Sequence, residues 1–193
     1  MQRPAFYYDV NSPYAYLAAC RVDDVLPVRP HWRPIAFGVI VKQLGKVPWS
    51  FAEDRESHFS AISSRAAERG LPEVRYPDGW PVESYSLAPL RAALLAGDEE
   101  QLRAVSRELF RTMFVDGRDL ADIERVLDAA QRAGMDRDLV REGIESPEIK
   151  QRLREQTDEA ISKGVTGVPT VAIGEQLFWG DDRLGQAAVA LAA

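Results

Sequence analysis

Ser12 is the residue of this chain most open to chemistry. It lies between Asn11 and Pro13, where an apolar, aromatic run from Ala5 to Val10 stops and a helical spacing of Tyr14, Leu17, Ala18 and Val22 begins. A serine before proline at such a junction is a good N-cap. A helix N-terminus also gathers unpaired N–H groups and the positive end of the backbone dipole, both of which stabilise an anion. Taken alone, capping is enough to explain the hydroxyl. Cys20 is the single cysteine, which excludes an intrachain disulfide and a cysteine metal cluster. It falls in the first helix, where a small core residue is its expected role. His31 and His58 are the only histidines, which argues against a histidine-rich metal site. Three other places hold candidates. Val168-Pro169 opens a late strand, its bond either trans or cis. Trp179-Gly180-Asp181-Asp182 precedes the last helix, where aspartates commonly cap. Lys42 follows Gly38-Val39-Ile40-Val41, and taken alone it reads as a solvated lysine.

The elements that must position these residues follow from periodicity. Ala5 to Val10 reads as a buried strand, followed by a helix that finishes near Leu26-Pro27. Val28 to Phe37 reads as a second strand, and its prolines at 30 and 34 mark an edge or a bulge. That order is a βαβ unit with a parallel sheet. Loop-like stretches at 46–54 and 71–81 then alternate with helical patterns. These patterns cover Glu53 to Arg69, Leu87 to Leu95, and Leu102, Val105, Leu109 and Met113 behind Asp98-Glu99-Glu100. Ile123, Val126, Leu127 and Ala130 form another, closed by Gly134, and Ser146-Pro147 opens a long helix that ends at Gly164. Strand signals return at 169–173 and 176–179 around Gly174-Glu175, a two-residue hairpin turn. A last helix runs through Leu184, Ala188 and Leu191. The chain is thus an α/β protein of order βαβ…ββα with an all-helical insertion. Residues 1–45 and 164–193 form one discontinuous domain and residues 46–163 the insertion.

Composition narrows the function classes. The 193 residues are 46% apolar and 28% charged, with 24 basic and 30 acidic side chains for a net charge of −6. The two signs are interspersed, so no electrostatic footprint for nucleic acid or an anionic membrane surface is present. No stretch approaches the roughly 20 apolar residues that span a bilayer. The N-terminus carries no charged leader feeding a long apolar segment. With the lone cysteine, these features favour a reducing cytoplasm.

Three motifs in order resemble one family. Phe6-Tyr7-Tyr8-Asp9-Val10-Asn11-Ser12-Pro13-Tyr14 is similar to the N-terminal signature of kappa-class glutathione transferases and of their relatives, the 2-hydroxychromene-2-carboxylate isomerases. Gly164-Val165-Thr166-Gly167-Val168-Pro169-Thr170 resembles the family's Gly-Val-Pro-Thr loop. Leu177-Phe178-Trp179-Gly180-Asp181-Asp182-Arg183-Leu184 resembles its Trp-Gly-Asn-Asp-Arg-Leu segment. The resemblance covers essentially the whole chain and implies a thioredoxin-like fold of the DsbA type. Ser12-Pro13-Tyr14-Ala15 stands where DsbA-type oxidoreductases carry Cys-Pro-His-Cys, so dithiol exchange lacks its attacking thiolate. The family reading makes Ser12 the donor to the sulfur of bound glutathione, opposite a cis Val168-Pro169 bond. The Val168 backbone pairs with the cysteinyl unit, and Trp179, Gly180, Asp181 and Asp182 hold the γ-glutamyl group. Asp181 departs from the asparagine or serine expected there, and a second carboxylate would repel the γ-glutamyl carboxylate. Lys42 corresponds to a lysine that the isomerases use on the acceptor side, where a cation would hold a substrate carboxylate or offset a developing oxyanion. The asparagine that the family often carries near residues 58–62 has Ser60 as its nearest polar stand-in. Resemblance further implies a small aromatic substrate and a homodimer. The activity it implies is glutathione-dependent isomerisation of a hydroxychromene-carboxylate-like compound, or glutathione transfer to electrophiles; the reading from another class is a redox-dead binding protein.

Overall fold

Alternation along the first strand decides the layering. β1 (Ala5–Tyr8) buries Phe6 and Tyr8 on one face and Tyr7 on the other, each at most 1% exposed, because successive side chains of a strand point to opposite sides. Such a strand must lie inside a sheet covered on both faces. The computed structural model describes residues 3–192, and β1 sits in a four-stranded sheet of order β2-β1-β3-β4. β2 (His31–Pro34) runs parallel to it, pairing Ala5 with His31 through Tyr8 with Pro34. β3 (Thr170–Ile173) is antiparallel to β1, with Phe6 opposite Val171, and β4 (Gln176–Trp179) is antiparallel to β3. Pro34 closes an edge strand, where its missing N–H costs no ladder bond.

Helices cover the sheet. In chain order they are α1 (Pro13–Ala19), α2 (Val22–Val25), α3 (Phe37–Leu44), α4 (Arg55–Glu68) and α5 (Leu87–Leu94). They continue as α6 (Glu99–Phe114), α7 (Ile123–Arg132), α8 (Arg137–Gly143), α9 (Pro147–Ser162) and α10 (Leu184–Ala192). Two sequence expectations need correction. The first helix does not run to Leu26: the Arg21 N–H bonds the Ala18 carbonyl three residues back at 2.9 Å, and Arg21 leaves helical geometry at φ −133° before α2 starts. The second strand does not reach Phe37. The Asp9 carboxylate captures the Phe37 N–H at 2.9 Å and so starts α3, a helix the strand reading passed over. α8 is also additional, capped by Asp136 through the N–H groups of Asp138 and Leu139.

The larger apolar cluster runs without a break from Phe6, Tyr8 and Trp32 of the sheet to Leu109, Phe110 and Met113 of α6. Tyr8 meets Trp32 at 5.4 Å and Phe110 at 5.7 Å between ring centroids. The Tyr8 hydroxyl and Ser106 Oγ, 2.5 Å apart, satisfy each other's polarity within it. The opposite face packs Tyr7 against Ile35, Ile40, Val165, Val168 and Ala172. Sheet unit and helical insertion therefore share one core.

Candidate active site

Ser12 is placed by a turn that the end of β1 builds around a buried carboxylate. Asp9 is 3% exposed. Its side chain accepts from the Asn11 N–H at 2.9 Å, from the Phe37 N–H at 2.9 Å and from the Ser86 hydroxyl at 3.0 Å, while its carbonyl accepts from the Ser12 N–H at 3.0 Å. Burial nevertheless pushes the Asp9 carboxyl above its ordinary range, with these bonds opposing. Asn11 ties the same turn to the loop ahead of α5: Trp80 Nε1 donates to its side-chain oxygen at 2.7 Å, and its amide donates to the Ser84 carbonyl at 3.3 Å. Ser12 caps α1, its oxygen accepting from the Ala15 N–H at 3.2 Å. A hydroxyl oxygen that accepts in this way keeps its own proton free to donate. Capping and donation to a ligand are therefore compatible.

Ser12 opens onto a cavity of about 490 Å³ whose lining also includes Val168, Pro169, Trp179, Gly180, Asp181 and Asp182. The structure thus brings together, from both ends of the chain, the sequence-derived candidates other than Lys42 and the stand-in Ser60. The Val168–Pro169 bond is cis, and the Val168 N–H and C=O make no hydrogen bond among the described residues. Unpaired backbone groups of this kind are what an added strand would use. Trp179 lies exposed over Gly167, where any side chain would collide with the indole. Gly180, at φ +119°, turns the chain from β4 into a 3₁₀ turn at Asp181–Arg183.

Asp181 is not a helix cap and does not present its carboxylate to the cavity. It is 1% exposed, and its oxygens are taken by two guanidinium groups, those of Arg65 in α4 and of Arg69 at its C-terminal cap, the second at 2.6 Å. Arg65 also lies 4.0 Å from Asp182, whose carboxylate is half exposed. Two guanidinium groups against two carboxylates leave this end of the cavity without the excess negative charge that Asp181 suggested from sequence. What Asp181 can offer a ligand is its backbone N–H.

Lys42 stands exposed on α3 and does not line the cavity; Lys46 does. Gly45, at φ +61°, ends α3 and turns the chain so that Lys46 reaches the opening. Ser60 is exposed, whereas His58 of the same helix lines the cavity. Sequence reading missed Arg65, Lys46 and His58 as site residues. α3 was detectable, since Phe37, Ile40, Val41 and Leu44 recur at i, i+3, i+4 and i+7. The pairing of Arg65 with Asp181, 116 positions apart, has no local signal. The wall also carries three aromatic side chains, Tyr14, Phe37 and Trp49, beside the aliphatic Val41, Val47 and Pro48. Cys20 lies off the cavity, its thiol pushed up by burial, so it supplies no nucleophile there. Among the described residues no cluster of three metal-ligating side chains occurs.

A parallel βαβ unit, an antiparallel hairpin and a cis-proline beside the start of the first helix define a thioredoxin-type protein. The chain belongs to the family of the DSBA-like thioredoxin domain, whose model matches residues 5–192. It is 26% identical over 186 residues to a 2-hydroxychromene-2-carboxylate isomerase of Sphingobium xenophagum, covering 93% of this chain and 92% of that protein. It is 28% identical over 194 residues to glutathione S-transferase kappa 1 of Homo sapiens, covering 92% and 85%. A solved structure of a 2-hydroxychromene-2-carboxylate isomerase superposes with a TM-score of 0.85 at 23% identity, covering 99% of this chain and 95% of that one. No helix among the described residues is long and apolar enough to cross a membrane.

Proposed function

We propose that this chain is a glutathione-dependent isomerase of small, conjugated aromatic carboxylates, with Ser12 holding the glutathione sulfur as a thiolate. The observation that carries the reading is the meeting of a free-donating Ser12 hydroxyl, an unpaired Val168 backbone and the Trp179–Asp182 turn around one cavity. An added strand against Val168 would leave the γ-glutamyl group at residues 179–182, where Asp182 accepts from its ammonium and the backbone at 180–181 donates to its carboxylate.

The magnitudes suffice. A thiol with a pKa of about 8.5 is only a few per cent ionised at neutral pH. Lowering it by about two units takes roughly 2.7 kcal/mol. A charge-assisted hydrogen bond supplies about 1.5–3 kcal/mol, and the first turn of α1 adds a few tenths. α1 has only seven residues, so the hydroxyl rather than the dipole is the main source. The thiolate adds to the conjugated substrate, the ring opens, a bond that has become single rotates, and elimination returns glutathione unchanged. Lys46 and Arg65 offer charge for a carboxylate and Trp49 a face for an aromatic ring. Lys42 is a substrate contact in this scheme only if the acceptor extends over α3.

The similar identity to a kappa transferase favours conjugation as the second reading. The chain is further proposed to act as a homodimer in the cytoplasm. Incubation with 2-hydroxychromene-2-carboxylate and substoichiometric glutathione tests the assignment. Many turnovers with all glutathione recovered as free thiol are expected. Consumption of glutathione into a stable thioether would instead establish the transferase, and turnover without glutathione would remove both.

A further inference from the structure

Tyr14, His58 and Asp54 line the same cavity as Ser12, yet activation of the sulfur uses none of them. The Tyr14 hydroxyl lies 2.8 Å from His58 Nδ1, and His58 Nε2 lies 3.8 Å from Asp54 Oδ2. The imidazole is held flat against Trp49, with ring centroids 4.7 Å apart. Arg65 stands over the Tyr14 ring at 5.6 Å from its centroid. A phenol, an imidazole and a carboxylate in that order, beside a guanidinium, form the arrangement of a supported acid–base group.

We propose that Tyr14 is the proton donor and acceptor for the substrate, with His58 as its positioning partner. Asp54 lies on the far side of the imidazole, 3.8 Å from Nε2, and takes no proton in the step. The proposal rests on the thiolate reading and assigns the half of the reaction that the thiolate leaves open. When the sulfur lone pair forms a C–S bond at the end of a conjugated carbonyl, the C=C pair shifts and the carbonyl π pair moves to oxygen. That oxygen takes the proton of Tyr14, and the resulting tyrosinate accepts from the His58 Nδ1–H while facing Arg65. Elimination reverses the path: the enol proton returns to Tyr14, the conjugated bonds re-form, and the C–S pair leaves with sulfur. Nothing is consumed. Burial holds the free Tyr14 hydroxyl above the ordinary tyrosine range, opposed by Arg65 and reinforced by Asp181 and Asp182, so it starts the cycle protonated.

Two acceptors separate this role from a structural one. Addition of glutathione to an α,β-unsaturated ketone needs a proton, whereas substitution on 1-chloro-2,4-dinitrobenzene expels chloride and needs none. Tyr14→Phe is expected to lower kcat/KM for the ketone about 10²-fold and to affect the substitution far less. His58→Asn is expected to show the same selectivity with a smaller loss, and it carries the test if Tyr14→Phe fails to fold. Equal losses on both acceptors, or no loss on the ketone, overturn the proposal. The ultraviolet thiolate band of glutathione bound to the unaltered protein is read in parallel. Its absence overturns the Ser12 reading and this proposal with it; its presence, with unselective variants, overturns this proposal alone.

Discussion

At the scale of single residues, the site is a set of side chains that each satisfy the structure and leave one group over. Ser12 accepts the capping bond from Ala15 and keeps a proton to give. Asp181 lends its carboxylate to Arg65 and Arg69 and keeps its N–H. Replacing Asp181 with Asn leaves two partly buried guanidinium groups short of a partner. A loss of about 1–3 kcal/mol is expected, below the usual figure for a fully buried pair because the arginines reach solvent. Denaturant unfolding checks it, and an unchanged midpoint would count against the ion pair as a structural tie. Asp9 gives a pH signature. Its folded-state carboxyl lies above the ordinary value of about 3.8, so the folded protein binds a proton where the unfolded chain has released one. That contribution is full below the unfolded value and is lost as pH rises through the folded one. Asp9→Asn is therefore expected to flatten the fall in stability above about pH 4, measured by unfolding at a series of pH values. Identical slopes in both proteins would contradict the burial argument.

At the scale of elements, the cavity exists because α4 reaches across to the turn between β4 and α10. α4 lies in the helical insertion and the turn in the sheet unit, so neither builds the site alone. Gly167 sets how closely the loop before β3 approaches Trp179. Gly167→Ala is expected to displace the indole at a cost of about 1–3 kcal/mol, read as altered tryptophan fluorescence and weaker glutathione binding in calorimetry. Unchanged fluorescence and affinity would show that Trp179 does not need that seat. The signals legible in sequence were the local ones. A capping serine before proline, a Val-Pro-Thr loop and a hairpin around Gly174-Glu175 each announce themselves within a few residues, and β4 emerged with its bounds as read. The break after Ala19 was not legible, because Tyr14, Leu17, Ala18 and Val22 keep helical spacing through it. Arg65 and Lys46 were not legible either. Nothing next to Arg65 in sequence indicates a buried aspartate near the other end of the chain, and Lys42 looked the better lysine until Gly45 turned the backbone.

At the scale of the whole molecule, one apolar cluster joins sheet and insertion, so the 46–163 block is not expected to unfold by itself. A single calorimetric transition is expected, with van't Hoff and calorimetric enthalpies in agreement; two resolved transitions would mean that the shared core does not couple the parts. The same coupling brings residues from both ends of the chain to one cavity, where the proposed glutathione thiol would sit. Everything in the functional account depends on that thiol being anionic beside Ser12. A pH titration of the ultraviolet thiolate band of bound glutathione, in the unaltered protein and in Ser12→Ala, measures this directly. A midpoint below neutral pH is expected in the unaltered protein, returning to the ordinary thiol range in the variant, a change of about two units. Coincident midpoints in the two proteins would contradict it.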